Sequence, residues 1–449
     1  MSGLIATSNR RALIGAGITG RSVARFLTAK SMPFDWFDTR ASEADLNLAE
    51  ADQLGASLSF GEIADDRLCG YDEIILSPGL ARSEPYIVKA ENVGANIVGD
   101  IEIFARHVDA PVAAITGSNG KSSVTTLLAE VAKSCGRNAI AAGNLGEPVL
   151  DQLGQDYDLY VLELSSFQLE TTSSLKPAVS VILNISPDHL DRYPSLIEYH
   201  AAKQRVYFGA KGIITNRDDL LTSALSGDAE KHICFGFDEP DLGQYGLRDR
   251  SGKTYIARGL DLLCEVDQIQ LKGSHNLANA MAVLAMAEIL ELDLVRALET
   301  ICAFKGLPHR CELVANKAEV SWINDSKATN VGAAVAAIAG LSGEVEGRLI
   351  LIAGGQSKGQ DFTEFGKVVS KSCTHLILIG ADADQISQSV STDVSVVHAE
   401  GMREAVLTAS ELAQKGDCVL LSPACASFDQ FRGYQDRGSQ FRLAVEGLK

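Results

Sequence analysis

Short apolar runs alternate with amphipathic stretches along this chain and divide it into three successive units. In the first, Ala12–Gly15 reads as a short apolar strand and Gly17–Ala29 as a helix. Phe34–Asp38 reads as a second strand, and Glu73–Leu76 as a third that runs into Ser77-Pro78-Gly79. Strands separated by helices in this way predict a small doubly wound parallel sheet. A boundary near Gly99 precedes the apolar helical stretch Ile101–Ala105. The second unit opens with the strand Val112–Thr116 and the helix Ser122–Cys135. It continues through the buried-type strands Leu159–Leu164 and Val179–Ile185 and a helix over Ile197–Phe208, then a β-rich segment and the helix Asn276–Leu290. Leu307-Pro308 marks the next break. Beyond it Arg348–Ala353, His375–Ile379, Ser395–His398 and Cys418–Leu421 read as strands with helices between them, again a doubly wound sheet. The expectation is three α/β domains over residues 1–99, 100–306 and 307–449, which agrees with a prior of about 150 residues per domain.

The strongest chemical signal lies where the strand Val112–Thr116 meets its helix, in Thr116-Gly117-Ser118-Asn119-Gly120-Lys121-Ser122. Glycines let backbone N–H groups turn inward around phosphate oxygens. A lysine adds charge for the β and γ phosphates, a following hydroxyl suits Mg²⁺, and the helix N-terminus adds its dipole. The common phosphate loop has four residues between its glycines; here Gly117 and Gly120 enclose two. A chance glycine turn would not bring strand, lysine, serine and helix together in that order, so the central unit is predicted to be a P-loop-type ATPase domain. Glu163 ends the strand that begins at Leu159, where the metal-binding carboxylate of such enzymes stands; the alternative is a surface salt bridge. Asp188-His189 follows the next strand, at the same edge of the sheet, where a histidine is either structural or a ligand.

The first unit holds Gly15-Ala16-Gly17-Ile18-Thr19-Gly20 between strand and helix, with Asp38 ending the second strand. That is the dinucleotide fingerprint, and alone it suggests NAD. Physically it predicts only a pyrophosphate on a helix N-terminus, which a UDP group satisfies equally. Asn276 and Asn279, in Gly273-Ser274-His275-Asn276-Leu277-Ala278-Asn279, either read an adenine edge or cap their helix. The third unit places polar clusters at strand ends: His309-Arg310, Asn324–Asn330, Gly354–Gly359 and Ala424–Phe431. Cys425 has no histidine nearby in sequence and reads as a packed thiol, not a nucleophile.

Composition narrows the partners. The net charge of −18 repels nucleic acid and anionic lipid, so anionic ligands must be drawn by local features. Nine dispersed cysteines without a C-x-x-C pair, no signal peptide and no run of about 20 apolar residues predict reduced thiols in a cytoplasmic protein with no membrane contact.

Together, Thr116–Ser122, Glu163–Leu169, Asp188–Tyr193, His275–Asn279, His309-Arg310, Asn324–Asn330 and Ala424–Phe431 resemble the Mur ligases, in order along the whole chain. The resemblance implies that the Rossmann-like first domain binds the UDP part of a substrate, through Gly17, Ile18, Thr19, Asp38, Thr39, Arg40 and Gly79, with Asn144 near the muramoyl part. It implies ATP on Gly117, Ser118, Asn119, Gly120, Lys121, Ser122 and Ser123, with Asn276, Asn279, Arg310, Asp325 and Lys327 as further nucleotide contacts. Ser122, Glu163, His189 and Lys203 would place two Mg²⁺ ions, Lys203 as a CO₂-derived carbamate; Lys121, Glu163, His189 and Lys203 are the implied catalytic set. From the residues alone, Lys203 is a solvated helix lysine. Thr329, Lys358, Ser427 and the segment around Tyr434 resemble contacts to D-glutamate, and the implied co-substrates are ATP and UDP-N-acetylmuramoyl-L-alanine, on a monomer. Such a ligation needs an acyl phosphate, because a free carboxylate has no leaving group for an amine to displace.

Three other readings stay open. A sibling ligase would add a different amino acid or extend folate with glutamate; the Asp-Asn-Pro-Arg motif of diaminopimelate-adding relatives is absent here. An NAD-dependent dehydrogenase would explain Gly15–Gly20 and Asp38 but neither the phosphate loop nor the third unit. A nucleotide-binding switch would bind ATP without turnover.

Overall fold

The structure is a computed structural model that describes residues 9–40, 58–189, 192–225, 229–271, 273–342, 345–357 and 359–448. Three sheets follow one another along the chain. The first has five parallel strands in the spatial order Leu58–Phe60, Asp35–Asp38, Arg11–Ile14, Glu73–Leu76, Asn96–Val98. The order reverses between Arg11–Ile14 and Glu73–Leu76, which is where an open sheet of this kind leaves a crevice for a ligand.

The central sheet has nine strands. Its parallel part runs Ala139–Gly143, Leu159–Glu163, Val112–Thr116, Val179–Ile182, Gly212–Asn216, Lys231–Phe235, and Tyr245–Arg250, Lys253–Arg258 and Asp261–Glu265 extend it as antiparallel hairpins. These hairpins are the expected β-rich segment. Val112–Thr116, Leu159–Glu163 and Val179–Ile182 are buried at every position, because helices cover both faces. Lys121–Ser134, Ser274–Ile289 and Leu294–Ala303 pack on one face. Asp100–Ala105 and Leu196–Gln204 pack on the other, in an apolar cluster that also takes in Leu13, Val23 and Trp36 of the first unit.

The third sheet orders its strands Glu312–Lys317, Val320–Asn324, Cys418–Leu421, Leu349–Gly354, Cys373–Ile379, Ser395–His398, parallel except for the first. Most predicted strands and helices lie within two residues of the observed bounds. Ala139–Gly143 escaped the sequence pattern: it is built of alanine, one isoleucine and glycine and has too little apolar bulk to register as a strand. The helix expected over Ile197–Phe208 ends at Gln204 and tightens into a single 3₁₀ turn, Arg205–Tyr207.

Candidate active site

The phosphate loop stands at the carboxyl end of Val112–Thr116, in the middle of the central sheet, and its glycines are sterically required. Gly117 and Gly120 have φ of +152° and +83°. A Cβ on Gly120 would lie 2.6 Å from Asn279 Oδ1, so the Asn279 amide would have to shift. The loop is braced from the neighbouring strand end: Ser118 N donates to Asn184 O at 2.9 Å, Asn119 N to Asn184 Oδ1 at 2.8 Å, and Ser118 Oγ to Ser186 O at 2.9 Å. Neither Asn184 nor Ser186 was singled out from sequence; the available signal was a polar residue directly after an apolar strand, at the active edge of the sheet.

Two lysines converge on this loop. Lys121 Nζ donates to Gly117 O and Ser118 O, both at 2.8 Å, and Lys203 Nζ donates to Gly117 O at 3.0 Å. Lys203 is 2 % exposed, which corrects its reading as a solvated residue. It sits four positions after Tyr199 in Leu196–Gln204, on the same inward face of the helix, and its ammonium lies 4.5 Å from the Tyr199 ring centroid. Burial, and then the charge of Lys121, hold the Lys203 amine well below the ordinary lysine range. Lys121 is lowered too, mainly by burial.

Glu163 faces the lysines. Burial alone would raise its carboxyl, but the charge of Lys121, together with Ser122, Asn144 and Arg310, more than reverses this and holds it below the ordinary glutamate value. Asn144 Nδ2 donates to Glu163 Oε1 at 2.8 Å, while Oε2 is buried without a hydrogen-bond partner among the described residues. His189 occupies a left-handed backbone position, φ +55°, with its ring edge-on to Phe167 at 4.8 Å between centroids. Asp188 beside it accepts from Asn330 Nδ2 of the third unit at 3.1 Å.

The third unit closes the site. Arg310 Nη2 donates to Ser122 Oγ at 2.6 Å across the two units. Lys327 lies 3.8 Å over the Tyr434 ring; burial, then Arg310, lowers its ammonium to about 8. Asp325 accepts from Ser422 Oγ at 2.8 Å and Cys311 N at 3.2 Å, and burial pushes its carboxyl up to about 7. Arg437, missed from sequence, is fully buried and joins two polar clusters by donating to Ser326 O at 2.7 Å and Cys425 O at 3.0 Å. Burial pushes the Cys425 thiol up to about 12, as suits a packed residue.

Two adjoining cavities result. One, of about 260 Å³, is lined by Lys121, Asn144, Glu163, His189, Lys203 and Thr329 among others. The second, of about 300 Å³, is lined by Ser123, Asn276, Asn279, Asp325 and the apolar Phe235, Phe237 and Leu271. Asn119, Gly120, Arg310 and Lys327 line both. Asn276 lies inside the helix Ser274–Ile289, not at its cap. Ser427 is buried and lines neither cavity, and Lys358 lies outside the described residues. Gly17, Ile18, Thr19, Asp38, Thr39, Arg40 and Gly79 form a separate group at the carboxyl edge of the first sheet. There Asp38 Oδ2 accepts from Ala16 N at 2.7 Å and Arg40 Nη2 at 2.8 Å, and Oδ1 from Arg40 N at 3.0 Å and Arg40 Nε at 2.7 Å.

Three family models match consecutive parts of the chain: a MurD-like N-terminal domain of Mur ligases over 9–99, a Mur ligase middle domain over 115–287, and a Mur ligase glutamate ligase domain over 309–425. A UDP-N-acetylmuramoylalanine–D-glutamate ligase of Marinobacter nauticus is 46% identical, covering 99% of this chain and 100% of its own. The chain belongs to the Mur ligase family. A ligase of the same name from Legionella pneumophila is 45% identical over 97% of this chain and 98% of its own. Among solved structures, a pseudomurein peptide ligase type C from Methanothermus fervidus superposes with a TM-score of 0.63 at 22% identity, covering 98% of this chain and 100% of that one. A UDP-N-acetylmuramate–alanine ligase from Thermotoga maritima gives 0.62 at 22%, with the same coverage. At that identity the likeness establishes the fold.

As a Mur ligase this chain is an ATP-dependent, amide-forming enzyme that uses Mg²⁺. The residues present fit the ion. A buried carboxylate oxygen with no partner, near the Ser122 hydroxyl, supplies the hard oxygen donors that Mg²⁺ takes. Among the described residues no group of three or more acidic, histidine or cysteine side chains is placed to hold a metal ion by itself. No helix among the described residues is long and apolar enough to cross a membrane.

Proposed function

We propose that this Mur ligase joins D-glutamate to the L-alanyl carboxylate of UDP-N-acetylmuramoyl-L-alanine, with release of ADP and phosphate, in cytoplasmic peptidoglycan precursor synthesis. The observation that carries the reading is the 43–46% identity, over nearly the whole chain, to ligases named for that reaction. In this reading residues 1–99 hold the UDP group, 100–306 bind ATP, and 307–449 bring D-glutamate, on a monomer. In this reading Asp38 serves the UDP end by fixing Arg40 and the glycine turn, through four donors from Ala16 and Arg40.

The γ-phosphate of ATP is transferred to the alanyl carboxylate, and the acyl phosphate is then opened by the amine of D-glutamate, with phosphate leaving. Ser122, Glu163, His189 and Lys203 would hold Mg²⁺, two ions in this reading, whose charge would neutralise that of the phosphates. Lys121 spreads positive charge over the transferring group, and Arg310 and Lys327 do the same from the third unit. Asn276, Asn279 and Asp325 line the cavity assigned to the nucleoside. Thr329, Lys358, Ser427 and Tyr434 are assigned to D-glutamate, and Asn144 to the muramoyl end. The Lys203 carbamate forms when the neutral amine attacks CO₂ and loses a proton; a buried amine with a depressed pKa is available in that neutral form. The change turns a cation that would repel Mg²⁺ into a carboxylate-like ligand.

The deciding experiment measures phosphate release from ATP and Mg²⁺ with UDP-N-acetylmuramoyl-L-alanine, with D-glutamate, with L-glutamate or with neither. The expected result is release dependent on D-glutamate with a matching amide product by mass spectrometry. Release with another amino acid or with a folate instead would overturn the assignment.

A further inference from the structure

Between the two groups of site residues stands one side chain to which the reading above gives no role. Arg192 belongs to the turn after His189, and its backbone N–H donates to His189 O at 2.9 Å. Its guanidinium crosses to the first unit, where Nη1 donates to Pro78 O at 2.9 Å and Nη2 to Leu80 O. Those carbonyls flank Gly79 in the loop that follows Glu73–Leu76. The loop in turn abuts the glycine turn of the first sheet: a Cβ on Gly15 would meet Ser77 Oγ at 2.5 Å, and Ser77 N donates to Ile14 O at 3.0 Å. On its other side the guanidinium carbon lies over Phe167, 3.9 Å from the ring centroid. Phe167 touches His189 edge-on and stacks on Tyr193 at 5.8 Å. It also sits four residues after Glu163, in the helix Ser166–Glu170, which a reciprocal Ser165–Gln168 capping box holds in place.

We propose that Arg192 is a positioning residue that couples the loop around Gly79, at the UDP end, to the orientation of His189 and Phe167 at the phosphoryl-transfer end. The inference rests on the assignment of the UDP group to that loop. Only arginine can do this. Its planar fork reaches two carbonyls at once while its face stacks on an aromatic ring, whereas lysine offers a point charge to one of them. His189 needs such support, because a non-glycine residue at φ +55° holds its place only when its surroundings fix it. A ligand that settles the Ser77–Leu80 loop thereby settles the Arg192 fork, the Phe167 ring and the imidazole, and the chemistry is favoured once the acceptor carboxylate has arrived.

The test uses the full-length enzyme and its Arg192→Lys, Arg192→Ala, Phe167→Ala and Arg192→Ala/Phe167→Ala variants. Thermal melting and ADP affinity are measured beside the steady-state constants for each substrate. Arg192→Lys is expected to lose roughly 10- to 100-fold in kcat, the scale of an ångström-sized misplacement of reacting groups, with ADP affinity and melting temperature unchanged. The double variant is expected to lose no more than about twofold beyond the worse single variant, since both residues are links in one line of contacts from the loop to His189. An Arg192→Lys enzyme with wild-type kcat, or losses that multiply in the double variant, would overturn the proposal. Failure of the wild-type enzyme to turn over UDP-N-acetylmuramoyl-L-alanine would instead remove the functional reading on which it rests.

Discussion

Lys121 and Lys203 both donate to the carbonyl of Gly117, and two buried ammonium groups so placed would repel each other strongly. A Lys203 that is uncharged or carbamoylated relieves that repulsion, so in the proposed reading the residue serves chemistry and not stability. Lys203→Met is therefore expected to lower product formation at least about 100-fold while the melting temperature holds or rises; a matching fall in both would make Lys203 structural. Asp325 gives a pH signature of its own. Its carboxyl moves from an ordinary 3.8 up to about 7 in the folded chain. Between those values the folded state retains a proton that the unfolded chain has released, so this group costs stability increasingly as pH rises from about 4 to 7, and no further above. Asp325→Asn removes the titration. Its stability relative to wild type, measured by urea unfolding, is expected to climb across that window and then level off; a flat difference would refute the assignment.

At the level of elements, the phosphate loop works because its two glycines adopt backbone angles that other residues enter only with strain. Gly120→Ala would add about 1–3 kcal/mol of backbone strain and press a methyl group on Asn279 Oδ1. The expected outcome is a lower melting temperature and at least about a tenfold loss of ADP affinity by calorimetry, and wild-type affinity would show that the loop tolerates a Cβ. The strand–loop–helix character of this element was legible in the sequence because it is local: glycines, lysine and an apolar strand are all contiguous. Asn184 and Ser186 were not legible as its braces, since they lie more than sixty positions away and reach it only because Val179–Ile182 pairs with Val112–Thr116.

Across the whole molecule, the two cavities beside the phosphate loop are lined by the central and third units, and contacts between those units carry their geometry. Arg310 to Ser122 joins the third unit to the phosphate loop, and Asn330 to Asp188 joins it to the His189 turn. A hydrogen bond to a charged group contributes about 1.5–3 kcal/mol, so Arg310→Ala is expected to raise the KM for ATP roughly 10- to 100-fold, with melting little changed. An unaltered KM would mean that the third unit takes no part in holding the nucleotide. Against the charge of −18, Lys121, Arg310 and Lys327 converge on one cavity, and in the proposed reading this is what would draw polyphosphate there.

Alternating apolar strands and helices, the glycine turns and the polar clusters after strands determined the three α/β units and the carboxyl edges of the sheets at which those clusters lie. Those are matters of local pattern, set by the period of strand and helix and by the backbone freedom of glycine. Tertiary structure alone decided that Lys203 is buried, that Asp38 is claimed by Arg40, and that Arg192 spans two units. Each depends on which surfaces meet when distant segments pack, and the desolvation and pairing that follow are absent from the chain until it folds.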